Sequence, residues 1–205
     1  MQGKYALKTS ILQNDSRRKP FRTYICQKLN YTLMKTYIAF DAHGVSQSPG
    51  RDLKNYTHVM TWQKSYPTRF DFVNLHDIRF TSQHSGLVDT TVRTYLEKKM
   101  EQAENLLILV SEDTNVDSPI LNWQITRSVN RHHLPVIVAY EGESSITSEV
   151  IARRAHKLPT ALRHLMNQNA VKVAHIPFQS GKIESACKHF SSRAARYPWS
   201  TSTIF

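Results

Sequence analysis

Leu106–Val110 reads Leu-Leu-Ile-Leu-Val, a run with no polar residue to alternate against. A strand of that kind must be covered on both faces, which is the condition of a central strand in a parallel sheet. Parallel neighbours cannot be joined by a tight turn. Each needs a crossover, usually a helix, and the crossover is right-handed. The rest of the chain should therefore alternate strand and helix, and from residue 34 onward it does.

Thr36–Phe40 reads as the first strand, and residues 52–64 suit a helix with Leu53, Tyr56 and Met60 spaced three and four apart. Phe70–Leu75 is the second strand. Val88, Val92, Leu96, Met100 and Ala103 then mark one face of a helix, and Leu106–Val110 follows as the third strand. Ser118-Pro119 is a helix start, because Ser accepts from an orphan N–H and Pro is preset for the first turn. Leu121, Ile125 and Val129 are its inward residues. Pro135–Tyr140 is the fourth strand, residues 147–167 are helical with a break at Pro159, and Val171–Ile176 is the fifth. Ser180 is placed to cap a last helix that buries Ile183, Cys187, Phe190 and Ala194. The expectation is a doubly wound, flavodoxin-like α/β fold with a five-stranded parallel sheet flanked by helices. In such sheets ligands bind beyond the carboxyl ends of the strands, where the strand order reverses.

Residues 1–33 are polar, basic and without sustained period. They read as an extension outside the core, either a flexible arm or a start upstream of the native one, since Met34 opens the first strand. The domain is expected over 34–199, with residues 200–205 as a C-terminal tail.

Lys plus Arg number 27 against 16 Asp plus Glu, a formal net charge of +11. That excess attracts polyanions without saying which. The basic residues are scattered, with short clusters at Arg17–Lys19, Lys98–Lys99 and Arg153–Arg154, and they read as a solvated surface. Neither a zinc finger nor a glycine-interleaved aromatic motif accompanies them, which disfavours nucleic acid as the partner. No window approaches the roughly 18 apolar residues that a membrane span needs. The two cysteines, Cys26 and Cys187, give neither a disulfide framework nor a metal-ligand spacing, and His132 and His133 lack spaced acidic partners. The expectation is a cytoplasmic protein with no membrane contact, no bound metal and no resident cofactor.

The carboxyl ends of strands one to three bring together Asp41–Gly44, His76–Asp77 and Ser111–Asn115. A phosphoacceptor receiver shares this architecture, but it needs an aspartate ending strand three and an acidic pair after strand one. Here strand three ends in Ser111, and Asp41 stands alone. A nucleoside deoxyribosyltransferase-like enzyme also fits the fold, yet needs a glutamate nucleophile that the chain does not clearly offer.

More specific are the blocks Lys-Thr-Tyr-Ile-Ala-Phe-Asp, Phe-Asp-Phe-Val-Asn-Leu-His-Asp, Leu-Leu-Ile-Leu-Val-Ser-Glu-Asp-Thr, Asn-Trp-Gln-Ile and Leu-Pro-Val-Ile-Val. In this order they resemble the bacterial TIR-like family that includes the TIR subunit of Thoeris antiphage systems, over about residues 34–178. The resemblance implies cleavage of the nicotinamide–ribose bond of NAD, which would be substrate rather than cofactor. It also implies an ADP-ribose-derived messenger, an effector that responds to it, and self-assembly. It places the nucleotide pocket at Phe40, Asp41, His76, Asp77, Ser111 and Trp123. The family's catalytic glutamate follows a tryptophan on the helix after strand three, where a fixed carboxylate would stabilise positive charge growing on the ribose.

The matching residue here is Gln124, directly after Trp123. An amide keeps the shape and can bond a hydroxyl, but it carries no charge. Loss of a positioned carboxylate costs on the order of 100- to 10,000-fold in rate. Three readings follow: an NAD or ADP-ribose sensor or scaffold TIR domain without turnover, an inactivated variant, or a neighbouring acid (Glu112, Asp113 or Asp117) in the catalytic role. On the alignment alone, Gln124→Glu is expected to raise NAD cleavage. Each pocket residue also has an ordinary reading: Asp41 as a turn cap, His76 and Asp77 as a polar strand end, Trp62 and Trp123 as packing.

Overall fold

The computed structural model describes residues 34–40, 51–73, 90–192 and 202–204. Strands β1 (Lys35–Ala39), β2 (Asp71–Val73), β3 (Asn105–Val110), β4 (Val136–Tyr140), β5 (Val173–Pro177) and β6 (Ser202–Ile204) form one sheet in the order β2-β1-β3-β4-β5-β6. Every pairing in it is parallel. The helices are α1 (Arg51–Ser65), α2 (Thr90–Met100), α3 (Pro119–Asn130), α4 (Ser148–Arg154), α5 (Thr160–Asn167) and α6 (Ser180–His189), with a short 3₁₀ turn at Ala155–Lys157. The first five strands carry the doubly wound, flavodoxin-like arrangement expected from the alternation. A sixth short strand is added alongside β5, inside the segment read from sequence as a tail.

The register sorts the side chains into two layers. Tyr37 lies beside Leu106, Leu106 beside Val136, and Val136 beside Val173, so these share a face with Ile108, Val138, Tyr140 and His175. That face is covered by α2, α3 and α5. The opposite face, with Ile38, Asn105, Leu107 and Ile137, is covered by α1 and α6. Asn105 fixes the second layer: its buried amide donates to the carbonyls of Cys187 and Phe190, both at 3.0 Å, at the end of α6. β3 is buried along its whole length, as a run without polar alternation requires.

Local chemistry explains the starts of α3 and α4. Ser118 accepts from the Leu121 N–H at 3.2 Å, and Pro119 opens α3. Leu121, Ile125 and Val129 face inward as their spacing requires. Thr147 caps α4 through the Val150 N–H at 3.3 Å. The interruption at Pro159 is real and separates the 3₁₀ turn from α5. One start differs from expectation. Ser180 is the first residue of α6 rather than its cap, and Gln179 holds the cap position with no side-chain bond.

Ile183, Cys187 and Phe190 are buried, while Ala194 falls outside the described residues. Burial pushes the Cys187 thiol up to about 12, so it behaves as an apolar core group. Among the described residues, no helix is long and apolar enough to cross a membrane.

Candidate functional site

The strand order reverses between β1 and β3, because β2 lies on one side of β1 and β3 on the other. Two groups of side chains converge at the carboxyl ends of these strands.

The first is built on Gln124. Tyr37 of β1 points at α3, and its hydroxyl donates to Gln124 Oε1 at 2.7 Å. Burial raises the Tyr37 phenol well above its ordinary range, with Tyr56 adding to the effect, so the hydroxyl stays neutral and keeps its proton to donate. Gln124 Nε2 donates to the carbonyls of Phe40 at 3.2 Å and Ile120 at 3.3 Å. Both amide hydrogens are thereby used, and the side chain is 2% exposed. The match to the family's glutamate gives this amide a ribose hydroxyl to bond. The structure turns it into the β1–α3 interface instead. Phe40 is held from the other layer as well: its ring stacks on Tyr56 of α1 with centroids 4.1 Å apart. The chain entering Asp41 thus leaves a point fixed from both sides. Asp41 itself, with His76 and Asp77, lies outside the described residues.

The second group follows β3. Ser111 is buried in a tight turn, its N–H donating to Thr114 Oγ1 at 2.8 Å and its Oγ accepting from the Asp113 N–H at 3.1 Å. Glu112 projects from this turn and pairs with Arg154, and with Lys157 at 3.2 Å. Arg154 also donates to the Glu141 carbonyl at 2.7 Å and lies 3.1 Å from Glu143. Asp117 accepts from the Thr160 hydroxyl at 2.7 Å. Here a sequence expectation is corrected. Arg153–Arg154 read as solvated charge, yet Arg154 is only 7% exposed. Its planar fork reaches two carboxylates and a carbonyl that the turns after β3 and β4 present at one level. Arg154→Met is expected to lower stability by about 2 kcal/mol in urea denaturation, because it leaves the Glu141 carbonyl without its donor and takes the buried cation from between Glu112 and Glu143.

Trp123 is turned toward α2, with the Arg93 guanidinium 5.4 Å over its ring, and Trp62 packs against Phe178 at 5.2 Å. Trp123 therefore points away from Gln124, its neighbour in sequence. Among the described residues, no three His, Cys, Asp or Glu side chains gather as a metal site would require. Two participants escaped sequence reasoning. Tyr37 looked like one more strand residue, and the Tyr140–His175 pair, joined at 2.8 Å inside the sheet layer, was hidden in two apolar runs. The available signal was a polar-tipped residue at a position facing a fully covered layer.

Two solved structures are similar in outline. A conserved protein from Enterococcus faecalis V583 shares 11% identity, with 76% of this chain and 98% of that chain covered at a TM-score of 0.45. The CMP N-glycosidase BcmB of Clostridium botulinum shares 7%, with 74% and 96% covered at a TM-score of 0.36. The fold assignment rests on the strand order itself. The family model described as Thoeris protein ThsB, TIR-like domain, matches residues 37–145, which run from Tyr37 of β1 through α3 and β4 to the acidic turn that Arg154 holds. That match spans more than half of the 205 residues, and the chain belongs to the ThsB TIR-like family of Thoeris defence proteins.

Proposed function

We propose that the chain binds NAD beyond the carboxyl ends of β1 and β3 and cleaves its nicotinamide–ribose bond, giving an ADP-ribose-derived messenger for a separate effector. The observation that carries this reading is the position of the family match. It contains β1, β3 and α3, the elements that meet where the strand order reverses. Phe40 and Ser111 end the two strands there, and Asp41, His76 and Asp77 complete the proposed nucleotide site, with Trp123 bracing α3 behind it.

Departure of nicotinamide builds positive charge on the ribose, and the group that stabilises it must be anionic. Gln124 supplies shape and holds Phe40. The charge then falls to Glu112, Asp113 or Asp117, all in the turn after β3.

A second reading, an NAD or ADP-ribose sensor without turnover, is favoured by one observation: both amide hydrogens of Gln124 are committed to protein carbonyls. One experiment separates the two. Purified chain is titrated with NAD by calorimetry and assayed for nicotinamide release, with and without a phage trigger. The enzyme reading expects binding and release, and expects one of Glu112→Gln, Asp113→Asn or Asp117→Asn to cut release by roughly 100-fold or more. Binding with no release under any trigger supports the sensor. Absence of NAD binding rejects both.

A further inference from the structure

A cavity of about 320 Å³ opens at the amino ends of β4 and β5, the opposite end of the sheet from the one where the strand order reverses. Its size falls at the lower end of small-ligand sites, which run from about 300 to 1,000 Å³. Three segments form it. The loop after α3 brings His133 and Leu134, the entry to β5 brings Val171 and Lys172, and the exit from α6 brings Phe190 and Ser192. Backbone bonds fix these walls: the Val136 N–H donates to the Lys172 carbonyl, and the Ser192 N–H to that of Glu104, both at 2.9 Å. Leu134, Val171 and Phe190, with Val129 of α3, make a buried apolar floor. His133 and Ser192 are exposed and Lys172 is half-buried, so polar groups stand at the mouth. Among the described residues that line the cavity, none is acidic. His133 is also held in an unusual way. Its N–H donates to the Val129 carbonyl at 3.1 Å, closing α3, and its φ is 53°. Glycine takes that conformation without steric cost, whereas a side chain kept there costs the fold something.

We propose that this cavity binds a small ligand with an apolar body and an anionic head, a phosphate or a carboxylate. The body rests on the floor made by Val129 and Phe190. The head meets the Lys172 ammonium, with His133 and the Ser192 hydroxyl as further donors at the mouth. The chain's net charge of +11 favours an anion in the same sense. The site lies apart from the one proposed for NAD, and the inference stands without that reading.

The test uses the full chain with methyl-labelled valine, followed by NMR as phenyl phosphate, benzoate or benzyl alcohol is added at millimolar concentration. At least one of the two anions should move the Val129 and Val171 methyl signals, and the tighter of them names the head group. Benzyl alcohol keeps the ring without the charge, and it should bind about tenfold more weakly or not at all. Lys172→Gln should weaken the anion about tenfold. His133→Gly should melt at or above the native temperature, because it relieves the positive φ, and should weaken the anion as well. A role for His133 in closing α3 alone would predict the first effect without the second. Both anions leaving the two methyl signals in place overturns the inference. So does anion binding that neither variant weakens, or that benzyl alcohol equals.

Discussion

Gln124→Glu is expected to melt roughly 10 °C below the native chain at pH 7, corresponding to about 3 kcal/mol, and to release nicotinamide no faster. The argument is local. In the native chain the Gln124 nitrogen lies 3.2 and 3.3 Å from two carbonyl oxygens and donates to both. A carboxylate puts a second oxygen there, so two bonds are lost and three lone-pair-bearing atoms crowd together in a buried space. The Tyr37 hydroxyl can still donate to the other oxygen, but one bond does not offset an otherwise unpaired buried charge.

The new carboxyl escapes by holding a proton, so its folded pKa lies above the unfolded value of about 4.3. The sign follows. Both states are protonated at low pH, and only the unfolded state ionises as pH rises past that value. The deficit should therefore grow with pH and shrink toward pH 4. Thermal melts from pH 4 to 8 check it. A variant as stable as the native chain that also releases nicotinamide faster would show that position 124 opens to ligand, as the alignment alone suggested.

The second large effect belongs to the native chain and has the opposite slope. Burial in β5 beside Tyr140 of β4 lowers His175 to about 4, against an ordinary value near 6.5. Between those values the unfolded histidine takes a proton that the folded one refuses, so stability falls as pH drops from about 6.5 to about 4. The full loss from this one side chain is about 3 kcal/mol. His175→Gln removes the titration while leaving the Tyr140 hydroxyl a partner, and it should flatten the melting temperature between pH 7 and 5 relative to native. Half-buried His132 is also lowered by desolvation and adds to the same slope, so the informative quantity is the difference between the two proteins. An identical slope in both would place the acid sensitivity elsewhere.

These two cases show what the sequence could and could not disclose. Leu106–Val110 announced a doubly covered strand because nothing in it could face water. Ser118-Pro119 announced α3 because the cap and the preset φ act within four residues. Such signals are local, and they survived into the structure. The job of Gln124 depends on Tyr37 and Phe40, which lie 87 and 84 positions away in sequence. No spacing rule connects them, and only the parallel register brings them together. Arg154 is buried for a similar reason: its partners sit on turns after two different strands, and a charge pair in sequence looks the same whether solvated or enclosed. The family blocks named the family without fixing which side chains open toward a ligand.

Among the described residues the two outermost strands, Asp71–Val73 and Ser202–Ile204, are also the shortest, with three residues each. An edge that short offers a passing strand too few unpaired N–H and C=O groups to template on. Among the described residues, sheet extension from copy to copy, the route toward fibrils, finds little backbone to begin on at either edge.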